Sequence, residues 1–171
     1  MLFRNFVLSA LSFGAVAWSV FPAPSTELPK EGACKFSSKL AGKLDTDKSN
    51  AVGSDAIASW DENVTITMDC GLTQWPAIKQ HCFGFDELIG SLRSSFGYCL
   101  DTDSDGDRIL WKLIPGKRGR NSAMSNGSAE VLMAGGKYKG MSGKSTSRCG
   151  YSGSEVAWTG LCDGEMTFKF P

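Results

Sequence analysis

Four aspartates at alternating positions surround one glycine in the segment DTDSDGDR, which begins at Asp101. Carboxylate oxygens are the ligands that calcium prefers, and the helix–loop–helix calcium motif places them at positions 1, 3 and 5 before a glycine at position 6. Counted from Asp101, these positions hold Asp101, Asp103, Asp105 and Gly106. Position 12 of the motif requires a bidentate glutamate and is Leu113 here, so the motif is incomplete.

The same residues also suit the turn of a β-hairpin, which is the interpretation that we favour. Asp-Gly is a preferred pair for a two-residue turn, and a turn centred on Asp105 and Gly106 places Asp103 opposite Arg108. A weak calcium site at the turn stays open as an accessory role. We otherwise expect no cofactor. The candidate metal ligands are Asp101, Asp103, Asp105 and Asp107.

Other residues capable of catalysis are few. His81 is the only histidine and is adjacent to Cys82. Neighbouring residues of a strand point to opposite faces, which disfavours a thiol–imidazole pair. The motifs of serine hydrolases, phosphate-binding loops and zinc proteases are absent from the sequence. We therefore predict no catalytic residue, and the sequence favours a protein that is not an enzyme.

The amino terminus has the pattern of a secretory signal peptide. Arg4 precedes an apolar run from Phe6 to Ala17, and small residues follow at cleavage spacing. We predict a signal peptide over 1–19, a flexible mature amino terminus over 20–33 and a single β-barrel domain over 34–171. The protein is then secreted or periplasmic, with no membrane span after signal cleavage.

Export makes disulfides the expected state of the cysteines. All six follow the predicted cleavage site, no C-x-x-C pair occurs, and a single histidine makes a zinc site improbable. Sequence alone does not select the pairing. The one pair that we predict joins Cys82 to Cys99 across a short helix. The six are Cys34, Cys70, Cys82, Cys99, Cys149 and Cys162.

Hydrophobic alternation predicts a mainly β fold. In the segment 63–70, Val64, Ile66 and Met68 lie on one face and threonines on the other. Further strands are predicted over 108–114, 128–135, 154–162 and 164–170, with a weaker one over 55–61. The segment 85–96 has apolar residues at helical spacing, from Phe85 to Leu92. Together these elements predict an antiparallel β-barrel or closed meander with one short helical insert.

Charge is segregated although the formal net charge is zero. Residues 45–107 are acidic and residues 112–148 are basic. We favour mutual neutralisation across neighbouring strands; the alternative is a basic patch for an anionic partner. Tyr138 is the one aromatic residue among these basic residues, too few for a stacking platform, so we expect no nucleic-acid partner. The sequence does not identify a partner.

The run YCLDTDSDGDRILWKL, followed by VLMAGGKYKGMSGKSTS, carries a family resemblance. It resembles small exported bacterial proteins of unassigned function that share a D-x-D-G-D hairpin and a G-G-x-G-K-[FY]-x-G corner. That pattern is similar to the barrel of allene oxide cyclases and dirigent proteins. The resemblance covers about residues 97–150 and implies a barrel, with no catalytic residue carried over. The predicted turn glycines are Gly106, Gly135, Gly136, Gly140 and Gly143.

These observations favour an exported, disulfide-stabilised barrel that binds a small apolar ligand or a partner surface. One alternative is a barrel enzyme of the cyclase kind that acts on a hydrophobic substrate. Another is a purely structural extracellular protein with a weak calcium site. Trp60, Trp75, Trp111 and Trp158 are core or rim residues, or they line a ligand pocket. A polar group buried deep in a closed cavity would favour the enzyme.

Overall fold

The computed structural model describes residues 28–71, 75–154 and 156–171, without the side chains of residues 46–49. Most of these residues lie in β-strands. The strands are β1 (Glu31–Val52), β2 (Asp55–Asp69), β3 (Ile78–Ile89), β4 (Leu92–Asp103), β5 (Arg108–Leu113), β6 (Lys117–Gly119), β7 (Met124–Ala134), β8 (Ser142–Gly153) and β9 (Ala157–Lys169). A single-turn 3-10 helix, Gly136–Tyr138, connects β7 to β8.

The strands close into an antiparallel barrel. Strands β1 to β5 pair in chain order, β5 pairs with β7, and β7, β8 and β9 continue the meander. The last strand, β9, pairs with β1 and completes a ring of eight strands. The short β6 lies outside this ring and pairs with the beginning of β4. The predicted mainly β, antiparallel barrel is confirmed.

The predicted helical insert over 85–96 is wrong. These residues form the end of β3, a tight turn at Gly90, where φ is 58°, and the start of β4. Asp86 and Arg93 are buried on the inner face of this hairpin. Because polar side chains occupy inward positions, the period of two that marks a strand was hidden, and the apolar residues that remained matched a helical spacing.

Several predicted strands have different boundaries in the structure. The segments 55–61 and 63–70 belong to one strand, β2, and the segments 154–162 and 164–170 are largely one strand, β9. Strand β1 begins at Glu31, so the last residues of the segment predicted to be flexible belong to the barrel. The predicted signal peptide, 1–19, and residues 20–27 lie outside the described residues.

One end of the barrel is filled by aromatic side chains, and we call it the aromatic end. Trp75 stacks on Tyr138 with ring centroids 5.8 Å apart and lies 5.0 Å from the ring of Phe168. Ile78 is the first residue of β3 and Ile109 is the second residue of β5, and both are buried beside these rings. This packing closes the barrel where β3 and β5 begin, and it belongs to the apolar core.

All six cysteines form disulfides, as predicted. Each bridge joins neighbouring strands within one hairpin: Cys34 to Cys70 for β1 and β2, Cys82 to Cys99 for β3 and β4, and Cys149 to Cys162 for β8 and β9. The predicted Cys82–Cys99 pair is confirmed, but it crosses a hairpin and not a helix. In the described part of the chain, no helix is long and apolar enough to span a membrane.

Opposite charges meet across the strands. Glu130 of β7 lies opposite Lys112 of β5 on one side and Lys144 of β8 on the other. Arg148 lies opposite Asp163. The basic segment is therefore interleaved with acidic residues, in agreement with neutralisation across neighbouring strands.

Candidate functional site

The lumen of the barrel contains a cavity of about 620 Å³. It extends from the middle of the barrel to the end opposite the aromatic end, which we call the mouth. Trp60, Trp111 and Trp158 contribute the large apolar side chains of its wall. An eight-stranded barrel has an interior just wide enough to be filled by side chains or to hold one small ligand. Here it is filled at the aromatic end and hollow toward the mouth.

The connection between β5 and β7 shapes the mouth. It folds back over the barrel and pairs with β4 through β6, which places Arg118 directly opposite Arg93. The N–H of Arg120 donates to the carbonyl of Ser91 at 2.8 Å, and the Arg120 side chain donates to the carbonyl of Ser54 at 2.7 Å. These bonds hold the connection, and with it Arg118, against the neighbouring hairpins.

A buried ion pair lies inside the mouth. Arg93 of β4 is 8% exposed and Asp86 of β3 is fully buried, and the Arg93 guanidinium contacts Oδ2 of Asp86. The other carboxylate oxygen, Oδ1, and Nε of Arg93 have no hydrogen-bond partner among the described residues, and both side chains line the cavity. The indole N–H of Trp60 is also buried without a partner. These three atoms have almost no accessible surface and lie inside the wall, where polar groups without partners are costly.

Glu62 lies beside this ion pair. Its Oε1 accepts a hydrogen bond of 2.6 Å from Nε1 of Trp158. Gly42 of β1 provides the space, since a Cβ at Gly42 would lie 2.5 Å from the Trp158 ring and 2.6 Å from Cγ of Glu62. Burial raises the pKa of the Glu62 carboxyl, although the hydrogen bond from Trp158 and the charge of Arg93 lower it. Glu62 is therefore a carboxyl that holds its proton to a higher pH than an exposed glutamate.

Each arginine of the mouth lies over an aromatic ring. The guanidinium carbon of Arg93 is 5.2 Å from the centroid of Trp158, and that of Arg118 is 4.9 Å from the centroid of Tyr151. Burial and the charge of Arg93 both lower the pKa of Arg118. Burial likewise raises the pKa of the Tyr151 hydroxyl, and the charge of Glu62 adds to that effect. The mouth is thus a cluster of charged and aromatic groups that influence one another electrostatically.

Asp101 lies deeper in the lumen, away from the turn where the sequence placed it. It is 2% exposed and accepts hydrogen bonds of 2.7 Å from Nε2 of Gln80 and 2.7 Å from Nε1 of Trp111. Burial raises its pKa to about 6, and the two hydrogen bonds oppose this rise. Asp101 is therefore separated from the other three aspartates and forms part of the cavity wall.

The turn has a different register from the predicted one. Arg108 lies opposite Thr102, and Asp103 is joined to Asp107 by a backbone hydrogen bond of 3.1 Å, so three residues form the loop. Gly106 has φ of 86°, as the left-handed position of a three-residue hairpin loop requires. The prediction of a hairpin is confirmed, but the two-residue turn is wrong.

The remaining aspartates contact Lys137 and Tyr138, and we call these five residues the aspartate clasp. Oδ2 of Asp103 accepts hydrogen bonds from the Tyr138 hydroxyl at 2.9 Å and from Nζ of Lys137 at 2.7 Å. Oδ2 of Asp105 lies 2.6 Å from the same Nζ, and Asp107 accepts from the N–H of Lys137 at 3.2 Å. A lysine ammonium thus lies where the sequence allowed a calcium ion. In the described part of the chain, no group of three metal-ligating side chains has a geometry suited to a metal.

The predicted turn glycines differ in their conformations. Gly106, Gly136 and Gly140 have φ of 86°, 63° and 83°, respectively. A Cβ at Gly136 would lie 1.7 Å from Oδ1 of Asp107, whereas Gly135 has extended backbone and open space around it. Gly143 faces backbone of β9, where a Cβ would lie 2.6 Å from the carbonyl of Thr167.

His81 is on the outer surface, as the sequence indicated. Its Nε2 lies 2.6 Å from Oδ2 of Asp61, and both side chains are largely exposed. The adjacent Cys82 points into the barrel and is bonded to Cys99. The two do not form a catalytic pair.

Sequence reasoning missed the residues of the mouth: Glu62, Asp86, Arg93, Arg118 and Tyr151. Charged residues in strands are usually assigned to the solvent side, and these lie on the lumen side. The sequence did contain one indication of this arrangement. Glu62 is two residues from both Trp60 and Val64, which face inward, and residues two apart in a strand lie on the same face. The alternation that predicted β2 thus placed Glu62 inside.

Comparisons with known proteins agree with this architecture. No family model matches the chain. No curated protein matches it either. Its fold is similar to that of a solved pterocarpan synthase dirigent protein, with 10% identity, a TM-score of 0.51, and coverage of 92% of this chain and 100% of the other. A second pterocarpan synthase dirigent protein gives 10% identity, a TM-score of 0.46 and coverage of 83% and 97%. The barrel fold is thus shared with the first of these two proteins.

Proposed function

We propose that the barrel binds a small, partly apolar organic molecule in its lumen, entering through the mouth. The observation that carries this proposal is the cavity of about 620 Å³, whose wall joins three tryptophans to charged and polar side chains. Its size lies within the range of small-molecule sites, which combine an apolar wall with a few oriented polar groups. The polar wall extends the sequence-based hypothesis, which expected a small apolar ligand or a partner surface.

Native mass spectrometry of protein purified from its natural compartment tests the proposal. We expect a bound molecule of low mass that is released on denaturation. Ser147→Phe places a ring inside the lumen and should abolish retention, whereas Thr146→Phe, on the outer face of the same strand, should leave it unchanged. Both variants should be compared by circular dichroism. A folded Ser147→Phe variant that retains the molecule would show that it binds elsewhere.

A second candidate function is catalysis of the cyclase kind on a hydrophobic substrate, and Glu62 favours it. A carboxyl whose pKa is raised by burial is a better proton donor to a substrate oxygen than an exposed one, and Glu62 lies in the cavity wall beside Arg93 and Asp86. The similar solved structure is named as a pterocarpan synthase. If this function is correct, Glu62→Gln should retain the molecule found by mass spectrometry but stop its conversion. Equal product profiles from wild type and Glu62→Gln would refute it.

We also propose that the chain is exported. The three disulfides support this proposal, because they persist in oxidising compartments. The mature protein should begin between Trp18 and Val20, and its mass should show the loss of one hydrogen per cysteine. Alkylation of two or more cysteines without prior reduction would contradict it.

A further inference from the structure

We infer that the molecule held in the lumen is an organic acid whose carboxylate is bound by Arg118 and Arg93 at the mouth. This inference rests on the proposed function and names the chemical class of its ligand. The pairing of β4 with β6 places Arg93 directly opposite Arg118, and both side chains lie on the lumen side. Like charges opposite each other destabilise a pair of strands unless an anion lies between them.

The available carboxylates do not neutralise both arginines. Asp86 contacts Arg93 through the oxygen Oδ2. In the described part of the chain, Arg118 contacts the ring of Tyr151 but forms no ion pair with a carboxylate. Glu62, the other carboxyl group nearby, accepts a hydrogen bond from Trp158. Arg118 is therefore a half-buried cation that interacts with the charges of Asp86 and Glu62 at a distance but contacts no carboxylate among the described residues.

The geometry of Arg93 supports the same conclusion. Arg93 is more than nine-tenths buried and lines the cavity. A guanidinium presents its N–H groups in a planar fork that suits a carboxylate. Stacking on Trp158 and Tyr151 fixes both guanidinium planes and so reduces the entropy lost on binding. The apolar body of the acid then lies along Trp60, Val64 and Met166 toward the middle of the barrel.

A matched pair of probes tests this assignment. Isothermal titration should compare 4-phenylbutyrate with 4-phenylbutyramide, which has the same body and no charge. We expect the acid to bind at least tenfold more tightly than the amide, and acetate to bind more weakly than either, because it lacks a body that fills the lumen. Acetate binding as tightly as 4-phenylbutyrate would show a site for small free anions and overturn the assignment.

Two variants test which arginine is responsible for the preference for the acid over the amide. Arg118→Gln should reduce the preference for the acid to threefold or less, while leaving the binding of the amide unchanged. Arg108→Gln removes the same charge at the opposite end of the barrel, where Arg108 is exposed, and should keep the full preference. If wild type binds acid and amide equally, the inference is wrong and the lumen still binds a neutral molecule. If neither 4-phenylbutyrate nor fatty acids of six to twelve carbons bind, the inference is also wrong, and native mass spectrometry decides the proposed function separately.

Discussion

Nζ of Lys137 lies 2.7 Å from Oδ2 of Asp103, so a cationic side chain neutralises the aspartate-rich hairpin from the corner before β8. Burial raises the pKa of Asp103, but the hydrogen bonds from Lys137, Tyr138 and the loop backbone outweigh it and lower that pKa overall. The hydrogen bonds with Asp103 and Asp105 raise the pKa of Lys137. Both partners are therefore charged at neutral pH, and we expect the hairpin to gain little from a calcium ion.

Removal of the lysine should expose the weak calcium site that the sequence suggested. Lys137→Met deprives Asp103 and Asp105 of their cation and should lower the free energy of unfolding by about 1–2 kcal/mol. Millimolar calcium should then restore part of the melting temperature in this variant and leave wild type unchanged. Thermal melts with calcium and with a chelator measure both effects.

Lys139→Met is the matched control for that experiment, because Lys139 is exposed and lies two residues further along the same segment. It should behave as wild type. A calcium-dependent rise of several degrees in wild type, abolished by Asp103→Asn, would show instead that the aspartates bind the ion.

Two adjacent glycines of the corner should respond very differently to alanine. Gly136 has a φ of 63°, and its Cβ would overlap the carboxylate of Asp107. Gly136→Ala should therefore lower the free energy of unfolding by about 2 kcal/mol or more. Gly135→Ala should change it by no more than about 0.5 kcal/mol, since its backbone is extended and the space beside it is open. Urea denaturation of both variants checks this contrast, and equal effects would contradict the assigned corner geometry.

Asp101 should make the protein less stable as the pH rises. Its folded pKa is about 6, above the value of about 3.9 for an unfolded chain. Between these values the folded state binds more protons than the unfolded state, so this residue lowers the free energy of unfolding as the pH rises through that window. Its cost at pH 7.5 is about 3 kcal/mol relative to pH below 4.

Asp101→Asn removes this titration. Relative to wild type, the variant should become more stable as the pH is raised from 4 to 7.5, with most of the change complete near pH 6.5. Asp163→Asn, at an exposed position of β9, serves as the control and should show no such trend. Chemical denaturation at four pH values supplies the measurement, and a difference between Asp101→Asn and wild type that stays constant with pH would contradict the prediction.

The buried ion pair should show strong coupling in a double-mutant cycle. Arg93→Met leaves the charge of Asp86 buried without its partner and should cost about 3–5 kcal/mol. Asp86→Leu should also be strongly destabilising, because it leaves Arg93 unpaired inside the mouth. The double variant should be more stable than Arg93→Met alone. Additive effects in urea denaturation would mean that the two side chains do not interact.

The barrel could be predicted from sequence wherever its inner face is apolar. Val64 and Ile66 in β2 and Met166 and Phe168 in β9 alternate with polar residues, and these strands were recognised. The hairpin of β3 and β4 was not, since Asp86 and Arg93 take inward positions while Phe85 and Leu92 are exposed. Alternation identifies strands only through the contrast between an apolar and a polar face.

The candidate site was not predictable for a related reason. Its charged residues come from distant segments of the chain, and only closure of the ring brings Glu62, Arg93 and Arg118 to one mouth. A single sequence contains no direct information about which distant residues come together in the fold. Asp101 illustrates the same limit. It was grouped with the hairpin aspartates by proximity in sequence, whereas the alternation of β4 carries it two residues deeper into the lumen than Asp103.

The three disulfides connect the cysteines in the order in which they occur, first to second, third to fourth and fifth to sixth. A chain that emerges from a ribosome or a translocation channel amino terminus first therefore presents each cysteine with its correct partner as the next one to appear. Oxidation in that order yields the native connectivity without reshuffling. The seam between the first strand and the last, β1 and β9, carries no covalent bond and is closed by hydrogen bonds and side-chain packing alone. Each hairpin can thus be cross-linked in turn during synthesis, whereas the barrel closes only after β9 has been made and pairs with β1.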